Sequence, residues 1–247
     1  MRAIESGPDG APLVVLVHGA PDRSTAFGRA LPHLADLRTV VYDRRGYGES
    51  AGLAPATSLA DHAEDLLAVL NGRRATVVGH SFGGNVALHA TTLDPDLIAS
   101  VGVWEPSNCW LPGWSADHIR QVEGMAYADD TGILGERMAR TLLGGRGWDR
   151  LDDAGRVLRR AEGLAFSLDM RFLLHAPFDC GDVKAPALVG LGGDTTGPHV
   201  EGAHLLGKAL GVQPTVVPGC SHLVHIQAPE LWARFVRDTV DLGAPEP

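Results

Sequence analysis

Apolar positions follow two rhythms that alternate along the chain. Leu13–Val17 is an unbroken aliphatic run rich in β-branched residues, the pattern of a strand buried on both faces. Residues 39–42, 75–78 and 98–104 repeat it. Between these runs the apolar residues recur at helical spacing. A helix is predicted from Thr25 to about residue 36 with Ser24 as its cap, and a second through Leu59, His62, Leu66 and Leu70, stopped by Asn71-Gly72. A third begins at Asn85 and breaks at Asp94-Pro95. Strands alternating with helices at this interval indicate βαβ units and a mostly parallel, doubly wound α/β sheet.

The rhythm changes at Glu105-Pro106. Residues 119–128, 133–143 and 151–174 carry apolar positions at helical spacing, with Gly and Asp breaks between them. Strand patterning resumes only at Ala187 and again at residues 215–217, separated by a helix from Pro198 to Leu210. An amphipathic helix with Pro229 near its start closes the chain. This divides the chain into an α/β core, 1–105 and 181–247, and a helical insertion, 106–180, placed to act as a lid. Trp110, Trp114, Met125, Tyr127, Trp148, Phe166, Met170, Phe172 and Phe178 fall in it, a concentration in a chain only 6% aromatic. Most are expected to form the insertion's own core and a few to line a pocket beneath it. About twelve residues precede the first strong strand, so a sheet of at most seven strands is expected, and residues 243–247 read as a disordered tail.

Composition excludes more than it suggests. A net charge of -9 argues against nucleic acid or an anionic membrane surface as a partner. No apolar run has the length of a membrane span, and the N-terminus lacks a signal-peptide core. Cys109, Cys180 and Cys220 are odd in number and lack metal-binding spacing, which fits a reduced, cytoplasmic protein. No metal or organic cofactor is called for.

The candidate chemistry centres on Gly79-His80-Ser81-Phe82-Gly83-Gly84, between a strand and a helix. It matches G-x-S-x-G, in which a sharp strand-to-helix turn exposes the serine and the flanking positions must lack a Cβ. A serine hydroxyl needs a base, and an imidazole base needs a group that fixes its tautomer. Ligands of such sheets bind at the carboxyl edge. His222, in the loop after the last strand, lies on that edge, with His225 as its competitor; His80 should point away from the serine's reacting face.

Four motifs in order resemble the α/β-hydrolase family. They are His18-Gly19; Asp43-x-Arg45-Gly46-x-Gly48-x-Ser50; Gly79-His80-Ser81-Phe82-Gly83-Gly84; and Gly219-x-x-His222 followed by Pro229-Glu230. The resemblance spans nearly the whole chain outside the insertion. It implies Ser81 as nucleophile, His222 as base, and an oxyanion hole from the backbone N–H groups of Ala20 and Phe82. Asp43, Arg45 and Ser50 would fix their loop, and His18 would be structural. The acid stays open. The family's Gly-x-x-Asp slot holds Thr195, with Asp194 one residue early, while Trp104-Glu105-Pro106 resembles members whose acid follows the preceding strand. Glu105 and Asp194 are both candidates; Asp179 and Asp182, which precede the strand, are weaker ones. The implied activity is serine hydrolysis of a small, partly apolar ester, lactone or related acyl compound. Carbon–carbon hydrolysis or a lyase reaction on the same triad is an alternative, as is a small-ligand binder with little turnover. Dehalogenases and epoxide hydrolases of this fold need an aspartate where Ser81 stands.

Overall fold

The computed structural model describes residues 1–244. Its centre is a sheet of seven strands among the described residues, ordered β1-β3-β2-β4-β5-β6-β7. These are β1 (Ala3–Ser6), β2 (Leu13–Val17), β3 (Arg38–Tyr42), β4 (Ala75–His80), β5 (Ile98–Trp104), β6 (Ala187–Gly192) and β7 (Thr215–Val217). β1 is antiparallel to β3, and every other pairing is parallel. The inner strands are buried along almost their whole length, which is why their sequences read as continuous apolar runs. β1 is exposed throughout and carries little apolar signal, so its pairing with β3 is not visible in the pattern.

Helices α1 (Leu59–Leu70), α2 (Phe82–Leu93), α6 (Pro198–Leu210) and α8 (Pro229–Leu242) cover the sheet, with the short α7 (Val224–Gln227) before the last. Val15, Val17, Val77, Val101, Val103 and Val189 pack into one core, and Val14, Leu16, Val78, Trp104, Trp232 and Phe235 into another. Each fully buried aliphatic side chain contributes roughly 1.5–3 kcal/mol. That burial holds the strand ends, and the loops leaving them, in register.

One expectation fails. Residues 24–36 form no α-helix but two 3-10 segments, Ser24–Arg29 and Leu31–Leu34, and the Ser24 side chain caps neither. Pro32 lacks the N–H an α-helix interior needs, and Gly28 weakens helix further. The Ser24 N–H bonds instead to Asp43 Oδ1 at 2.7 Å.

Between β5 and β6 run α3 (Ala116–Ala126), α4 (Thr131–Asp149) and α5 (Asp153–Leu173). α4 is broken at Gly144, whose φ of 70° is left-handed. Trp148 is buried there with the guanidinium groups of Arg140 and Arg160 over its ring. Tyr127, by contrast, is exposed. Of the expected tail, residues 245–247 lie outside those described; Gly243 and Ala244 continue the end of α8 through hydrogen bonds to Val240 O and Asp241 O. No helix of the described residues is long and apolar enough to cross a membrane. All three cysteines are free and buried.

Candidate active site

Ser81 stands at the turn from β4 to α2 with φ 51° and ψ −125°, a strained setting for a residue with a side chain. Its neighbours explain the glycines. A Cβ on Gly79 would lie 2.2 Å from Gly83 O, and one on Gly83 would lie 2.2 Å from Val17 O. β4 and β5 are in register at His80 and Trp104, so the residues leaving the two strands, Ser81 and Glu105, are neighbours. Glu105 is also left-handed, with φ 47°, and is fully buried.

The structure brings Glu105, not Asp194, to His222. His222 Nδ1 lies 2.9 Å from Glu105 Oε2. Glu105 Oε1 accepts from the Gly192 N–H at 2.8 Å and from Thr195 Oγ1 at 2.6 Å. Burial pushes the Glu105 carboxyl up, but the hydrogen bonds from His222, Thr195 and Gly192 outweigh it and leave it below its ordinary range. The Gly-x-x-Asp slot therefore contributes after all, as a hydroxyl that holds the carboxylate from the neighbouring strand. Asp194 is exposed, and its N–H bonds to Cys220 O at 3.0 Å. Asp179 accepts from Gly181 N–H in its own turn.

Ser81 and His222 line one cavity of about 540 Å³, together with Ala20, Phe82 and His199. Among the described residues Ser81 Oγ and His222 are not hydrogen-bonded, a looseness common in unliganded sites. No backbone acceptor is found for the N–H of Ala20 or Phe82 among those residues, and the first N–H groups of a helix such as α2 have no acceptor within it. Three helices supply the opposite wall: Val122 and Met125 from α3, Met138 and Leu142 from α4, and Phe166 and Met170 from α5. Met125, Phe166 and Met170 are thus the members of the aromatic and methionine cluster that reach the cavity.

Three other histidines surround His222. His80 Nε2 donates to His222 O at 2.8 Å, tying the serine's turn to the histidine's loop. Burial, with His225 and His222 beside it, pushes His80 well below its ordinary range and keeps it neutral. His225, the competitor for the base, is buried and pairs with Asp22 at 3.2 Å. His199, which the sequence pattern does not single out, stacks on His222 with centroids 3.8 Å apart and planes 11° from parallel. Burial and His222 push its pKa down to about 3.

Two trios, Glu105-His199-His222 and Asp22-His80-His225, bring possible metal-ligand atoms within 4.8 Å of one another. The first does not fit an ion, because an imidazole lone pair lies in its ring plane and two stacked rings do not converge on one point. In the second, Asp22 and His225 already bond to each other and His80 to His222 O.

Beside the cavity, His18 accepts the Arg44 N–H at Nε2 (2.9 Å), so its Nδ1 carries the proton and donates to Gly19 O at 2.7 Å. Burial and the charge of Arg44 hold its pKa at about 4. Asp43 accepts from the N–H groups of Ser24 and Glu49, and Arg45 pairs with Asp65. Ser50 joins them through its backbone, accepting from the Gly46 N–H at 3.1 Å and donating its N–H to Tyr47 O at 2.9 Å, while its buried Oγ has no partner among the described residues.

Asp169 of α5 is buried against Arg44 at 2.8 Å, Tyr47 Oη at 2.6 Å and His62 Nε2 at 3.1 Å. Burial alone would raise its pKa, but Arg44 and His62 bring it from 3.8 down to about 2. A depressed carboxylate stabilises the fold above its unfolded pKa and loses that contribution as pH falls through the folded value. Stability should therefore decline by about 2 kcal/mol from this group between about pH 4 and about pH 2. Urea melts across that range check this, and the limb should flatten in Asp169→Asn.

The sequence profile described as the alpha/beta hydrolase family matches residues 14–235. Epoxide hydrolase A of Mycobacterium tuberculosis is 34% identical over 108 residues, which is 41% of this chain and 34% of that protein. The match thus spans about a third of that relative's length. The 2-(acetamidomethylene)succinate hydrolase of Mesorhizobium japonicum is 24% identical over 93% of this chain and 88% of its own. Among solved structures, the enol-lactonase of Burkholderia xenovorans LB400 superposes with a TM-score of 0.76 at 18% identity, over 97% of this chain and 96% of that one.

Proposed function

Because this chain belongs to the α/β-hydrolase family, we propose that it is a serine hydrolase that cleaves an uncharged, partly apolar ester or lactone through an acyl-enzyme. The observation that carries the reading is the 2.9 Å pairing of His222 Nδ1 with buried Glu105, on the wall of a cavity that Ser81 shares. Ser81 Oγ attacks the carbonyl carbon while His222 Nε2 takes its proton. Glu105 fixes the imidazole tautomer and stabilises the imidazolium that forms. The N–H groups of Ala20 and Phe82 hold the oxyanion. His222 returns the proton to the leaving oxygen, and water, activated in the same way, releases the acid and restores Ser81.

Residues 106–180 act in this reading as a lid whose inner face holds the acyl chain. Ser81 in the nucleophile position separates the chain from epoxide hydrolases of this fold, which use aspartate there. The free, buried cysteines fit a reducing, cytoplasmic setting. Rapid mixing with a p-nitrophenyl ester in the catalytic assay tests the acyl-enzyme. A burst of p-nitrophenol close to one equivalent per active site, with Ser81 recovered as an acyl-enzyme on acid quench, fits; where acylation is the slower step, partition of the acyl group to added methanol in one ratio shared by esters of different leaving groups fits equally. Turnover with neither a Ser81 adduct nor a partition ratio independent of the leaving group contradicts it.

Charge narrows the substrate. Among the described residues lining the cavity none is Lys or Arg, whereas Asp22 is among them. Arg23 and Arg159, near that wall, are both held by Glu162. A substrate carboxylate would enter without a partner, and an uncompensated buried charge costs several kcal/mol. The dimethyl ester of a medium-chain diacid should therefore be hydrolysed at least about 100-fold faster, in kcat/KM, than its monomethyl ester. Equal rates in a titration assay would remove the charge argument.

A further inference from the structure

A single buried guanidinium touches the Gly19–Ala20 peptide, through its carbonyl, and the ring of Phe82, and so reaches both N–H groups read above as the oxyanion hole only through their neighbours; the inference rests on that reading. Arg44 is 1% exposed. Its Nη2 donates to Gly19 O at 3.1 Å and its Nε to His18 O at 3.1 Å. The same guanidinium lies over the Phe82 ring, 4.5 Å from the centroid. Gly19 O and Ala20 N–H belong to one peptide unit, and the only cis bond among the described residues is the next one, Ala20-Pro21. In a trans unit the C=O and N–H point in opposite directions. Whatever fixes Gly19 O therefore fixes the heading of the Ala20 N–H.

That carbonyl is held more firmly than a loop carbonyl needs. It accepts from His18 Nδ1 at 2.7 Å and from the Asp22 N–H at 3.2 Å as well as from Arg44. A cation at the oxygen also draws density through the amide and makes the opposite N–H a stronger donor. Arg44 is in turn aimed by Asp169 on α5, where a carboxylate interrupts the stripe of Phe166, Met170 and Leu173. Asp169 is itself held by Tyr47 and His62. A buried ion pair is not needed for stability alone, since apolar replacement of both partners is often neutral or better.

We propose that Arg44, aimed by Asp169, is a positioning residue for the oxyanion hole, so that a side chain of the helical segment between β5 and β6 sets the strength of transition-state stabilisation. The pair acts on the tetrahedral oxyanion and not on ground-state binding of the substrate.

The test compares wild type with Asp169→Asn, Arg44→Lys and the charge-free double variant Arg44→Met/Asp169→Leu. Each is assayed with an uncharged ester, with a trifluoromethyl ketone whose hemiketal adduct on Ser81 places an oxyanion in the hole, and with the unreactive ether of the same shape. The double variant is expected to lose roughly 10- to 100-fold in kcat, part of what removing a whole oxyanion donor costs, with KM within about threefold. The ketone should weaken in step with kcat/KM while the ether binds as before. Arg44→Lys, which keeps the charge but not the fork that reaches two carbonyls, should fall between. If the double variant does not fold, Asp169→Asn and Arg44→Lys carry the same comparison. Variants that melt earlier yet keep kcat and ketone affinity within about twofold of wild type would overturn the proposal. Failure of the underlying reading looks different: the wild type would ignore the ketone, and Ser81→Ala would match it in rate.

Discussion

Ser81→Ala is expected to lower kcat for an uncharged ester by roughly 10^5- to 10^6-fold while KM changes little. The methyl group cannot form the acyl-enzyme, but the cavity walls that hold the substrate are intact. A residual rate above that in water should remain, because the Ala20 and Phe82 N–H groups still face a developing oxyanion. His222→Ala should cost a similar factor. The double variant should be no slower than either single one, since nucleophile and base act as a unit. Progress curves at high enzyme concentration, with thermal melts to confirm folding, measure all three. A Ser81→Ala rate within tenfold of wild type would rule out the serine as nucleophile.

The second large effect separates the two acid candidates. Glu105→Gln should reduce kcat by about 10^4-fold, the scale seen when a triad acid becomes an amide. Thr195 and the Gly192 N–H, which converge on Glu105 Oε1, would still orient the amide carbonyl and help the variant fold. An amide retains the shape, but with its carbonyl kept by those donors it turns its NH2 to His222 Nδ1, which favours the wrong tautomer and cannot stabilise the imidazolium. Asp194→Asn, at an exposed turn, should stay within about twofold of wild type. Thr195→Val is expected to give an intermediate loss of about tenfold by loosening the carboxylate. Steady-state kinetics on the three purified variants decide the matter, and the reverse order of effects would move the acid to Asp194.

What the sequence makes legible follows from how local each feature is. β2, β4 and β5 are buried on both faces, so they appear as continuous apolar runs; β1 is an exposed edge strand with almost no such signal. In residues 24–36 the apolar spacing reads burial correctly, since Phe27, Ala30 and Leu34 are in the core. It misreads the backbone, because Gly28 and Pro32 favour 3-10 turns over α-helix. Gly79, Ser81 and Gly83 lie within five residues, and their geometry is readable from that stretch alone. The pairing of Glu105 with His222 is not, because it depends on where the ends of β5 and β6 meet the loop after β7. The Thr195 hydroxyl shows how a family slot can hold a different residue and still serve the same carboxylate. His199 and the Arg44–Asp169 pair carry no sequence signal of comparable strength. Their contacts come from helices α6 and α5 folding back over the sheet edge.

Covalent labelling with a fluorophosphonate, read by intact mass and peptide mapping, tests the central claim most directly. One adduct per chain on Ser81 is predicted, absent in Ser81→Ala and formed far more slowly in Glu105→Gln. An unlabelled wild-type enzyme that still turns over ester, or an adduct on another residue, would contradict it.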